Sequence, residues 1–81
     1  MNVLALRPGT RVRVRRTFRD FDGRVIAAGT VLELASYDYF AHDGGHTLRF
    51  VDGTVIRLLD GDPRSEPVLS DPGDAYFERV N

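Results

Sequence analysis

The chain contains no cysteine and no lysine. Without cysteine, neither a disulfide nor a thiolate-held metal can staple the fold. That absence fits a reducing cytosol. Long apolar runs are missing too. The run Val3 to Leu6 in "MNVLALRPG" is too short for a signal-peptide core and far too short to span a membrane. A cytoplasmic protein without membrane contact is expected. No helical stripe of useful length occurs. The serines are Ser36, Ser65 and Ser70, and none sits in a nucleophile–base pattern. No enzyme activity and no cofactor are expected.

What is present is one small domain. A chain of 81 residues buries about 60% of its unfolded surface, so the core is small. Net charge is -1, which argues against a dedicated polyanion binder. The charges are unevenly placed. Residues 1–24 hold seven arginines against Asp20 and Asp22, whereas residues 58–81 hold six acids against Arg64 and Arg79. All basic residues are arginine. A GC-rich genome explains this, and so does bidentate recognition of carboxylate or phosphate.

Periodicity two dominates. In "RVRVRRTFRDFDG" (residues 11–23), Val12 and Val14 alternate with Arg11, Arg13 and Arg15. This reads as a half-buried strand with its arginines in solvent. The same parity turns Arg16 inward unless a bulge intervenes. "DFDG" reads as a turn. "TVLELASYDYF" (30–40) is the second long strand, with Leu32, Leu34 and Ser36 on one side and Val31, Glu33 and Ala35 on the other. "TLRFVDGTVIRLL" (47–59) is a hairpin. A three-residue loop, Val51-Asp52-Gly53, pairs Leu48 with Ile56 and keeps Arg49 and Arg57 wet, whereas a two-residue turn buries an arginine. Residues 60–74 hold three of the four prolines and five acids. They cannot form a central strand and are expected as an acidic surface loop anchored by Val68 and Leu69. "AYFERV" (75–80) returns as a short strand or a helical turn. Five or six short antiparallel strands in one domain predict an all-β fold, a small barrel whose closure removes exposed edges.

"F-x-D-F-D-G" (Phe18 to Gly23), "A-G-T" (Ala28 to Thr30), the aromatic run Tyr37, Tyr39, Phe40 and "G-x-T-L-x-F" (Gly45 to Phe50) together resemble a family of small uncharacterised bacterial proteins. The resemblance covers roughly residues 4–77. It implies an SH3-like barrel over the whole chain and no assigned reaction. Ala41 and His42 stand where that pattern has proline or tyrosine. A fainter similarity, over "PGTRVRVRRTFRDFDGRV", is to the KOW motif of ribosomal and transcription-elongation proteins. It implies the same barrel and contact with RNA or polymerase.

Three constellations follow. Arg11, Arg13 and Arg15 stand about 6.5–7 Å apart along one strand face. With Arg49 and Arg57 they form a candidate phosphate stripe, with Phe18, Phe21, Tyr37 or Tyr39 as stacking platforms. Against it stands a solvated face paired to the acids of 60–78. Next, Phe18, Phe21, Tyr37, Tyr39 and Phe40 exceed what a small core needs. Phe21, Tyr37 and Tyr39 with Asp20, Asp22 and Asp38 make a candidate aromatic–acidic surface for a protein partner. Against it, the rings are core with hydroxyls at the surface. Last, His42, Asp43 and His46 carry metal-ligand chemistry, but a glycine-rich loop supplies no outer shell to orient them, and no metal is expected. The expected function is a binding or adaptor module for an unknown protein partner. The alternative is a KOW-like nucleic-acid-contacting barrel. A third reading is a small plug of the immunity or antitoxin kind.

Overall fold

The computed structural model of the chain describes residues 2–80. Among these residues the fold is all-β, with a single 3-10 turn at Val3–Ala5 and one short helix. The strands are β1 (Arg11–Val14), β2 (Phe18–Arg19), β3 (Val25–Ile26), β4 (Val31–Phe40), β5 (Gly45–Phe50), β6 (Val55–Leu59) and β7 (Phe77–Val80); the helix α1 is Glu66–Leu69. Seven strands exceed the five or six expected because the "DFDG" turn is flanked by two two-residue strands, β2 and β3.

A five-stranded antiparallel sheet runs β6-β5-β4-β1-β7, and β2-β3 form a separate pair. The expected closure is not reached. Among the described residues β6 and β7 are the sheet's two edges and do not pair with each other. The edge of β6 is covered by the β2–β3 turn instead. Phe21 N–H donates to the Arg57 carbonyl at 2.7 Å, and Arg57 N–H donates to the Asp20 carboxylate at 3.1 Å. Two bonds blunt an edge without extending a ladder.

The alternation of β1 is realised: Val12 and Val14 are fully buried, and Arg11 and Arg13 are exposed. Leu32, Leu34, Leu48, Phe50, Ile56, Leu58 and Phe77 complete the sheet's share of the core. Each such side chain contributes about 1.5–3 kcal/mol on burial. Arg16 does not turn inward. β1 ends at Val14, Arg15 N–H donates to the Tyr76 carbonyl at 2.8 Å, and the Arg16 guanidinium lies 5.7 Å from the Tyr76 ring centre.

The β5–β6 hairpin has the expected register, with Leu48 opposite Ile56. Phe50 N–H donates to the Thr54 carbonyl at 2.9 Å, and Gly53 has φ +91°. The 60–74 segment is more ordered than a plain loop, since it contains α1. Val68 and Leu69 are buried as expected. The Asn2 side-chain amide donates to the carbonyls of Leu69 and Asp71, both at 2.8 Å, and its oxygen accepts Leu4 N–H at 2.8 Å. One side chain thereby ties the N-terminal turn to the end of α1 over one side of the core.

Candidate functional site

β4 is the longest strand, and a bulge between Leu34 and Ser36 divides it. Before the bulge Leu32 and Leu34 face the core. A bulge sets two residues against one and so shifts the parity of everything beyond it. Tyr37 then pairs with Leu48 and Tyr39 with His46, so both tyrosines continue the leucines' face where the sheet extends past the core. Ser36 crosses to the side of Arg49, contrary to the simple alternation expected for this strand.

The result is a hydrogen-bonded chain of four side chains. Tyr37 Oη lies 2.7 Å from His46 Nδ1. His46 Nε2 lies 2.7 Å from Asp60 Oδ1. Tyr39 Oη donates to Asp60 Oδ2 at 3.1 Å. The Tyr39 ring packs against the imidazole with ring centres 4.6 Å apart, and the Tyr37 ring centre lies 6.0 Å away. His46 is buried, while Tyr37 and Tyr39 remain 37% and 46% exposed. The hydrogen bond from His46, joined by that from Tyr39, holds Asp60 below the ordinary carboxylate value against desolvation. Tyr39 is raised, first by its bond to Asp60. Tyr37 is raised, first by desolvation and then by the charges of Tyr39 and Asp60. Beside Tyr37 runs an open groove of about 320 Å³, lined by Leu4, Ala5, Leu6, Arg7, Pro8 and Tyr37.

The residues expected to form one aromatic–acidic surface fall into three places. Tyr37 and Tyr39 are together. Asp38 lies on the opposite face of β4, paired with Arg49 at 2.9 Å. Asp20, Phe21 and Asp22 sit at the β2–β3 turn. Asp20 is corrected outright: it is wholly buried. Its carboxylate accepts Arg24 N–H at 2.8 Å, Arg24 Nη1 at 3.0 Å and Arg57 N–H at 3.1 Å, which leaves it nothing to offer a partner. Desolvation pushes Asp22 up, but hydrogen bonds from Arg24 and Arg57 outweigh it and hold the group below its ordinary value. Phe21 is half-buried, its ring centre 5.9 Å from the Arg57 guanidinium carbon.

The arginine stripe is largely neutralised within the chain. Arg13 pairs with Glu78 at 2.8 Å, Arg49 with Asp38 at 2.9 Å and Arg57 with Asp22 at 3.0 Å. Arg11 stands in register with Glu33 on β4. Arg15, just past the end of β1, lies exposed beside Arg16 and Asp74. Phe18, named as a stacking platform, is buried and packs edge-on against Tyr76 and Phe77. His42 and Asp43 are exposed in the β4–β5 loop, while His46 is turned into the tyrosine pair. Among the described residues no three His, Cys, Asp or Glu side chains cluster as a metal site.

Sequence reasoning missed Asp60 and the role of His46. The hairpin register carried part of the signal. With Gly45 opposite Leu59, Asp60 emerges next to Gly44, and Asp60 N–H donates to the Gly44 carbonyl at 3.0 Å.

The chain is similar in structure to an integron cassette protein from the mobile metagenome of Vibrio cholerae. The two are 23% identical, with a TM-score of 0.80 over 93% of this chain and 88% of that one. At this identity the likeness shows the fold alone: a small all-β domain. No protein-family profile matches the chain, and no curated protein does. The resemblances to an SH3-like bacterial family and to the KOW motif therefore have the small all-β fold behind them and no family match. Among the described residues no helix is long and apolar enough to cross a membrane.

Proposed function

We propose that the chain is a cytoplasmic, non-enzymatic binding module, an open variant of the SH3-like barrel, that holds a protein partner on the face carrying Tyr37, Tyr39 and Asp60. The observation behind this reading is the bulge-driven placement of two half-exposed tyrosines whose hydroxyls are tied down, one to His46 and one to Asp60. Tyrosine offers large contact area at low conformational-entropy cost. Rings fixed in advance lose still less freedom on binding. The groove beside Tyr37 extends this surface. The serial contacts Tyr37–His46–Asp60 superficially suit nucleophile activation, but Tyr37 is raised rather than lowered, which disfavours a phenolate nucleophile.

The nucleic-acid reading is weaker because Arg13, Arg49 and Arg57 already have carboxylate partners. The test is a photo-cross-linking amino acid placed at position 39 or, as a comparison, at position 13, in the living host. A discrete adduct at 39, absent at 13 and lost when Tyr37→Ala is added, supports the module. Adducts confined to position 13 overturn it.

A further inference from the structure

The proton arithmetic of the tyrosine face narrows its ligand. A carboxylate has no proton to give, so the 2.7 Å contact between His46 Nε2 and Asp60 requires the proton to sit on Nε2. A neutral imidazole in that tautomer accepts at Nδ1. The Tyr37 hydroxyl is then the donor in its 2.7 Å contact. The Tyr39 proton is directed at Asp60 Oδ2. With the imidazole neutral, both hydroxyl protons of this cluster point inward. What the cluster shows to solvent is acceptors: lone pairs on both phenol oxygens, the remaining lone pairs of Asp60 and two ring faces. A ligand must bring the donors.

Charge points the same way. Asp60 and, in the adjoining loop, Asp43 make this end negative, and both raise Tyr39. Ring faces attract cations. Arg7 lines the groove beside Tyr37 at the cluster's other end, so a second cation is directed to the Tyr39–Asp60 end. There Tyr39 Oη and Asp60 Oδ2 sit 3.1 Å apart, a spacing that two parallel N–H groups of one guanidinium can span. Arginine supplies that planar fork, and lysine supplies only a point charge.

We propose that the Tyr39–Asp60 end of this face is a receptor for the guanidinium of an arginine on the partner. The assignment rests on the partner-binding reading above and deepens it.

The experiment titrates the labelled full chain with N-acetyl-arginine amide, its neutral isostere N-acetyl-citrulline amide, and N-acetyl-lysine amide, following backbone amides by NMR. Arginine is expected to shift Tyr39, His46 and Asp60 saturably, with citrulline weaker by about tenfold and lysine intermediate. Asp60→Asn, at a half-exposed position, is expected to weaken arginine about as much as removal of the ligand's charge does. Asp38→Asn, on the opposite face, is expected to leave it unchanged. Equal binding of citrulline and arginine overturns the assignment, as do shifts centred on Asp38 or Asp52, or no localised shift at tens of millimolar. The cross-linking result at position 39 decides the module reading separately. An adduct there without arginine selectivity leaves the module standing and removes the guanidinium.

Discussion

The buried carboxylate of Asp20 accepts the main-chain N–H of Arg57, thirty-seven residues further along the chain. That contact fastens the β2–β3 turn to the edge of β6, where no strand continues the sheet. It also explains why an aspartate can be fully buried: three donors meet it, from Arg24 and Arg57, and a buried carboxylate without such partners is costly.

Asp20→Ala should therefore be among the most damaging single changes in the chain. It leaves the N–H groups of Arg24 and Arg57, both only partly buried, without their acceptor, and an unsatisfied donor costs about 1–3 kcal/mol where water does not replace the carboxylate. Asp20→Asn keeps one acceptor oxygen and should lose less. Urea unfolding of both variants measures this. Equal stability of Asp20→Ala and the parent would mean the turn is not held to β6 as described.

Gly53→Val should destabilise by about 1 kcal/mol or more, because a β-branched residue is strained at positive φ. In a domain this small that lowers Tm by about 4–8 °C. Strain at positive φ, not crowding of the Cβ, is the cause, since a Cβ on Gly53 meets nothing within 4 Å. Gly73 is equally open in space and has no positive φ, so Gly73→Ala should be neutral or slightly stabilising. A thermal melt of the pair sets a position that needs positive φ against one that does not. Matching losses would contradict the assigned loop.

These two cases mark what the residue order could and could not reveal. The hairpin is local: its register follows from keeping Arg49 and Arg57 out of the core, and both ends of the argument lie within residues 47–59. The β1 alternation is local as well. Asp20 looked like an exposed turn acid because its most distant donor, the N–H of Arg57, lies far along the chain and depends on which edge the turn covers. The tyrosine face was half legible. That Tyr37 and Tyr39 share a side follows from strand parity. Which side they share depends on the bulge after Leu34, and Leu-Ala-Ser carries no glycine or proline to announce it. Asp60 was half legible too: the β5–β6 register places it beside Gly44, but its meeting with His46 and Tyr39 depends also on the face that the bulge gives the tyrosines.

Stability should fall in acid below the ordinary carboxylate range, with Asp60 and Asp22 among the causes. Both groups titrate below the ordinary value of 3.8 in the folded chain. A carboxylate depressed on folding contributes stability that is fully present above its unfolded value and lost as pH falls through its folded one. Asp52, lowered by the backbone N–H of Thr54, acts in the same direction. Urea midpoints measured between neutral pH and pH about 3 should decline for the parent and decline less for Asp60→Asn. A steeper acid loss in Asp60→Asn than in the parent would reverse the assigned sign.

Single-stranded RNA should bind weakly, with little dependence on salt. Each phosphate contact adds about 0.7 to the slope of log affinity against log salt for single strands. Of the five arginines that could form the stripe, Arg13, Arg49 and Arg57 are engaged with Glu78, Asp38 and Asp22. To grip phosphate they must first give up those partners, and exchanging one anion for another yields little net gain. Arg11 and Arg15 remain, which limits the slope to a magnitude of about 1.4. Fluorescence anisotropy with a labelled oligouridine across a potassium chloride series measures it. Arg13→Ala should leave the slope unchanged, because the lost cation was already neutralised, whereas Arg15→Ala should flatten it. Glu78→Gln offers the converse check. Freeing Arg13 from its carboxylate should steepen the slope by about one contact's worth. A steep slope in the parent that Arg13→Ala reduces would show that the ion pairs open readily, and would make the arginine face the working surface in place of the tyrosines.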